Sequence, residues 1–167
     1  MTKIDYEAEY NNRRRVPEHT EIVARWLRES ERVRATLPSE LGVAYGSKPR
    51  QCYDVFKPTS GDDSSGPLIV YIHGGYWQRG DRTEYSFVAE TLVRMGAIVV
   101  LPSYTLCPEG SVAEIIEEMR QFLRALWERM QRRPVVVGHS AGGHLAAAML
   151  ATRWSDYGAP ADLVRAA

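Results

Sequence analysis

Three short, uninterrupted apolar runs constrain this chain more than anything else in it: Leu68-Ile69-Val70-Tyr71-Ile72, Ala97-Ile98-Val99-Val100-Leu101 and Pro134-Val135-Val136-Val137. Alternating apolar and polar residues would mark a strand with one wet face. Continuous β-branched runs mark strands covered on both faces, which is how parallel sheets are built. Between the runs the period changes to that of a helix. Residues 83–95 put Phe87, Val88, Leu92 and Met95 on one side, with Gly96 as the stop. Ser111 and Glu114 form a capping box ahead of a wide apolar stripe that runs from Ile115 to Met130 and reads as core. Ala141 to Thr152 is a helix of small residues. Strand and helix alternate without internal repeat, so the expected class is α/β, a mostly parallel sheet flanked by helices.

Ahead of these runs, Pro17 suits the first turn of a helix, and Ile22, Val23, Trp26, Leu27, Val33 and Leu37 continue it at near-helical spacing to Pro38. Residues 42–51 read as a loop, 52–56 as an aromatic and β-branched strand closed by Lys57-Pro58, and 59–67 as a polar turn. The expected organisation is one domain over 1–167, with a helical segment at 1–40 and a sheet core at 50–167. Twenty-one basic and 21 acidic residues cancel. That balance argues against a nucleic-acid groove or an anionic membrane as partner, and Arg13-Arg14-Arg15 reads as a solvated turn. Residues 1–15 lack the apolar core of a signal peptide, no stretch approaches the ~20 apolar residues of a membrane span, and the chain reads as cytoplasmic. Cys52 and Cys107 lie far apart without a CxxC pair or a histidine at ligand spacing. They read as reduced thiols, with no metal site.

Chemistry concentrates at the carboxyl ends of two of the buried runs. Gly138-His139-Ser140-Ala141-Gly142 fits G-x-S-x-G and follows the third run directly. A serine hydroxyl is a weak nucleophile unless it is exposed and aimed at a base, and a sharp strand-to-helix turn does the exposing. Glycines fit either side of that serine because strand and helix approach too closely for a side chain. The helix opening at Ala141 adds unpaired N–H groups and the positive end of its dipole. Taken alone, the pattern also describes a glycine-rich turn with a capping serine. His73-Gly74-Gly75-Tyr76-Trp77 closes the first run, and its glycines allow backbone N–H groups to turn toward a reacting oxygen.

These two motifs, with Tyr10-Asn11-Asn12-Arg13 and Tyr53-Asp54-Val55-Phe56, resemble the kynurenine formamidase (arylformamidase) branch of the α/β-hydrolases. Tyr76 stands where hormone-sensitive-lipase-like esterases carry the third glycine of HGGG. The resemblance implies the amino-terminal part of an α/β-hydrolase fold. It implies Ser140 as nucleophile and the N–H groups of Gly74, Gly75 and Ala141 as an oxyanion hole. It implies a small-molecule substrate and no cofactor. The reaction would be hydrolysis of an aryl formamide of the N-formylkynurenine type, in tryptophan catabolism, through an acyl-enzyme. A broad carboxylesterase of the same fold is the alternative within this class. Tyr76 and Trp77 either stack on an aromatic substrate or pack their loop onto the core.

Such hydrolases take their triad in the order serine, acid, histidine. After Ser140 come Asp156, Asp162 and only His144, which precedes both acids and lies one turn along the elbow helix. His139 reads as packing or shaping the oxyanion side, His19 as surface, and His73 as bracing its loop. Residues 163–167 look like the opening of another strand. The expectation is therefore the amino-terminal part of a hydrolase, truncated or completed by a second polypeptide, with the triad acid and base beyond Ala167 and a second copy or a complementing C-terminal fragment as the candidate partner. A reading from another class stays open: a non-catalytic remnant that binds a small molecule or a partner through its open sheet edge.

Overall fold

The computed structural model describes residues 4–59 and 66–167; most of the turn expected at 59–67 lies outside them. In chain order the helices are α1 (Tyr6–Tyr10), α2 (Asn12–Arg15), α3 (His19–Thr36), α4 (Ala89–Arg94), α5 (Val112–Met130) and α6 (Ala141–Leu150). Five strands among the described residues, β1 (Ser39–Ala44), β2 (Cys52–Phe56), β3 (Leu68–Ile72), β4 (Ile98–Pro102) and β5 (Pro134–Gly138), form one sheet in the order β1-β2-β4-β3-β5. β4, β3 and β5 run parallel, while β1 and β2 join antiparallel at the β4 side. The α/β expectation holds, with a mixed sheet. No helix of the described residues is long and apolar enough to cross a membrane.

Alternate side chains of each central strand enter different cores. Leu68, Val70, Ile72, Ile98, Val100 and Val136 meet the stripe of α5 and the small face of α6. Val99, Leu101 and Phe56 meet α4 and Val33 of α3 on the other face. Each fully buried aliphatic side chain contributes roughly 1.5–3 kcal/mol, so these runs hold the sheet between two helical layers. The Ser111–Glu114 capping box opens α5 as expected.

Several expectations need correction. Gly42 to Ala44 belongs to an edge strand: β1 pairs with β2 through a register shift between Glu40 and Val43, and Gly42 takes φ +70°. The helix expected at 83–95 is two 3₁₀ turns, Arg82–Glu84 and Ser86–Val88, leading into the six-residue α4. Polar side chains break it: Asp81 caps Thr83 N–H, the Ser86 hydroxyl donates to Arg82 O, and Phe87 N–H donates to Ser30 Oγ of α3. Met95 is 76% exposed rather than inward. On α3, Val23 and Leu27 are exposed, because the helix rests on the 3₁₀ turns through Trp26, stacked 5.5 Å from Phe87, and not flat on the sheet. β5 is covered on one face only. Val136 is buried, but Val135 and Val137 are each 40% exposed. Residues 163–167 form no strand; Leu163 and Val164 are buried, and Ala166 O accepts from Val136 N–H at 3.1 Å.

Candidate active site

β3 and β5 are neighbours in register, with Leu68 facing Pro134 and Ile72 facing Gly138, so both glycine motifs leave the same edge of the sheet side by side. His139 N–H still donates to Ile72 O at 3.2 Å. One residue later the chain turns sharply. Ser140 takes φ 54°, ψ −117°, a region that side chains avoid and that costs on the order of 1–3 kcal/mol. It is exposed and precedes α6, but its side chain makes no capping hydrogen bond. The capping-serine reading therefore fails. The strain presents the hydroxyl outward instead of turning it onto its own helix.

The flanking glycines are forced by close approach. A Cβ on Gly142 would lie 2.7 Å from His73 O and closer still to Ile72 O; one on Gly138 would lie 2.5 Å from Gly143 N and closer still to Gly142 O. α6 thus starts against the end of β3. From the other side, a Cβ on Gly74 would lie 2.6 Å from His139 O and 3.2 Å from Ser140 Cβ. The His73–Trp77 turn therefore rests directly on the elbow. Its backbone is unusual throughout: Gly75 has φ +121°, Tyr76 +54° and Trp77 +57°. The turn is closed by Gln78 and Arg79 N–H donating to Gly75 O. Among the described residues the N–H groups of Gly74, Gly75 and Ala141 find no backbone acceptor. Of the three, Ala141 follows Ser140 directly and Gly74 packs against it, while Gly75, the next residue of the turn, packs against Arg79.

His73 is buried beneath the turn. Its ring stacks on Tyr104 at 4.4 Å and lies parallel to Tyr85 at 5.8 Å, its Nδ1 is 2.8 Å from Gly74 O, and Tyr104 hydroxyl donates to His73 O at 2.9 Å. Burial lowers its pKa to about 4, opposed weakly by the bond to Gly74. It is a neutral brace. Half-buried Trp77 packs against the core and meets the His144 ring edge to face at 5.3 Å. Tyr76 is 50% exposed, with the Arg79 guanidinium 5.4 Å from its ring centre.

None of the four histidines hydrogen-bonds a carboxylate or Ser140 Oγ among the described residues. Asp162 is held by Arg133 and Arg165, and Asp156 pairs with Arg153 at 4.0 Å. Sequence reasoning missed Tyr104, which closes over His73, and Arg50, which reaches the back of the turn. Tyr104 could have been found, since it lies just beyond the carboxyl end of a buried run.

The sequence pattern of a family described as alpha/beta hydrolase fold matches residues 69–165. A kynurenine formamidase of Danio rerio is 35% identical over 130 residues, covering 77% of this chain and 44% of that protein. A crystal structure of a candidate thioesterase from Silicibacter sp. tm1040 superposes with TM-score 0.79 at 33% identity, covering 89% of this chain and 56% of that one. Inhibited esterase B of Lactobacillus rhamnosis superposes at 0.60 with 26% identity, covering 77% and 47%. The chain spans less than half the length of the kynurenine formamidases it matches.

Proposed function

Because this chain belongs to the α/β-hydrolase fold family, we propose that it is the nucleophile-bearing portion of a serine hydrolase acting on a small aryl formamide or ester. The observation that carries the reading is Ser140 itself, an exposed serine at φ 54° with no capping bond, followed by the Ala141 amide and set against a glycine turn whose Gly74 and Gly75 amides, like that of Ala141, find no backbone acceptor among the described residues. Strain of this kind persists only where the surrounding structure imposes it.

In the proposed reaction Ser140 Oγ attacks the formyl or acyl carbon, forming a C–O bond as the carbonyl electrons move to oxygen. The Gly74, Gly75 and Ala141 amides receive that oxyanion, and one such donor is typically worth roughly 3 kcal/mol of transition-state stabilisation. The proton from Oγ passes through a general base to the leaving nitrogen or oxygen. Collapse breaks the bond to that atom, and water then adds to the acyl-enzyme to release formate or the corresponding acid. Identity to kynurenine formamidase favours a formamide, while the resemblance to esterase B favours an ester. Exposed Tyr76 stands at the rim, where an aromatic substrate could stack.

A second reading, binding without turnover, is favoured by the absence of an acid–histidine pair among the described residues. The two separate cleanly. A fluorophosphonate should label Ser140 and fail with Ser140→Ala, and turnover of N-formylkynurenine should exceed that of short p-nitrophenyl esters. Labelling elsewhere rejects Ser140, an ester preference selects the carboxylesterase, and saturable ligand binding without labelling selects the binding module.

A further inference from the structure

Arg50 stands in the short connection before β2, at the opposite end of the fold's sequence from the elbow, yet it touches both supports of the glycine turn. Its Nε donates to Tyr104 O at 2.7 Å, one terminal nitrogen donates to Gly80 O at 2.7 Å, and the other lies 3.3 Å from Asp81 Oδ2. Both carbonyls belong to residues that press on His73 and Gly74. Tyr104 stacks on the His73 ring and donates to its carbonyl. Gly80 sits so close beneath that a Cβ there would lie 2.7 Å from Gly74 O and from His73 Nδ1. Asp81 is fixed in its turn: burial would raise its carboxyl pKa, but Thr83 N–H and the Ser103 and Thr83 hydroxyls hold it below the usual range. The guanidinium fork thus spans three anchored acceptors on two loops.

We propose that Arg50 is a positioning residue for the oxyanion turn: by clasping Gly80 and Tyr104 from behind, it fixes where the Gly74 and Gly75 amides point relative to Ser140. The inference rests on the reading that those amides receive the oxyanion. Three donors at fixed angles are something a planar guanidinium provides and an ammonium does not, so the requirement is geometric and not one of charge. Donors that act on charge developed only in the transition state change kcat when displaced, and leave ground-state binding nearly alone.

The test uses the full-length protein as wild type, Arg50→Lys, Arg50→Met, Arg50→Ala and Ser140→Ala. Arg50→Lys and Arg50→Met should lower kcat by about ten- to a hundredfold, in line with the cost of an ångström-scale misplacement, with KM within about twofold. Amide exchange over residues 73–80 should quicken at least about tenfold while α5 stays protected, and added guanidinium should partly restore Arg50→Ala where ammonium does not. Wild-type kcat in Arg50→Lys, or unchanged exchange at 73–80, overturns the proposal. If Arg50→Met loses protection throughout, Arg50→Lys decides. Full turnover by Ser140→Ala would sink the hydrolase reading, and the exchange data would still judge whether Arg50 holds the turn.

Discussion

Adjacent glycines at the start of α6 should respond to alanine in opposite directions. At Gly143 the new Cβ would meet Gly138 O at 3.4 Å, an ordinary contact, so Gly143→Ala keeps only the helix-propensity gain, up to about 1 kcal/mol. At Gly142 the Cβ would fall within 2.7 Å of His73 O and nearer to Ile72 O, both main-chain atoms. No rotamer relieves that overlap. Only a shift of α6 from the end of β3 does so, by something near 1 Å, and overpacking of this kind costs roughly 1–3 kcal/mol or more. After the same propensity gain, Gly142→Ala should be less stable than wild type by about 2 kcal/mol and less stable than Gly143→Ala by about 3. For a domain of this size that separates the two melting midpoints by roughly 6–12 °C, readable by circular dichroism. Gly142→Ala should also slow fluorophosphonate labelling of Ser140 by about a hundredfold, since the serine moves with its helix. Coincident midpoints for the two variants would refute the claim that strand and helix meet there without room for a side chain.

Three further outcomes follow from the same geometry. Ser140→Gly should unfold at higher denaturant than Ser140→Ala by the equivalent of about 1 kcal/mol, because φ 54°, ψ −117° is open to glycine and strained for alanine; equal stability would mean the elbow is unstrained. His73 is lowered by burial from 6.5 to about 4. The unfolded chain therefore takes up its proton first, and the stability His73 contributes is present above pH 6.5 and lost as pH falls toward 4, by about 3 kcal/mol. Urea titrations at pH 7 and 4.5 should show that slope in wild type and lose it in His73→Asn; an unchanged slope would show His73 to be hydrated or paired. Asp54 is fully buried and receives Arg34, Arg82 at 3.0 Å and Gly42 N–H at 2.7 Å. Asp54→Asn should cost about 3 kcal/mol by removing the buried anion of Arg34 and leaving Arg82 only Asp81, 3.6 Å away, and a loss under 1 kcal/mol would show the network to be solvent-screened.

What the sequence made legible here is what short-range physics decides. β3 and β4 were readable because continuous β-branched runs have few alternatives, and α5 because its cap and stripe agree. Ser140, Gly74 and Gly75 could be singled out because tight backbone geometry leaves a local mark in glycine. β1 was not readable: Ser39 to Ala44 has no clean alternation, and its pairing is imposed by β2 and by Asp54 binding the Gly42 amide. Residues 83–95 carry a helical period that the side chains of Asp81, Ser86 and Ser30 overrule. The exposed face of β5 was misjudged because a Val-rich run reads the same whether one face or both are covered. Arg50 left no sign at all, since a guanidinium reaching Gly80 and Tyr104 is a fact of tertiary placement alone.

The pairing of Ile72 with Gly138 has a consequence for how this site can change. Parallel neighbours are held about 4.8 Å apart, so the hydrogen-bond ladder acts as a ruler between the serine and the turn that faces it. A slip of one residue would send every side chain of β5 to the wrong layer, which makes intermediate spacings inaccessible. The main-chain half of the site is therefore of fixed gauge, formed whole when the sheet forms. On the proposed reading, adaptation to a bulkier or smaller substrate is left to side chains at its rim, such as exposed Tyr76.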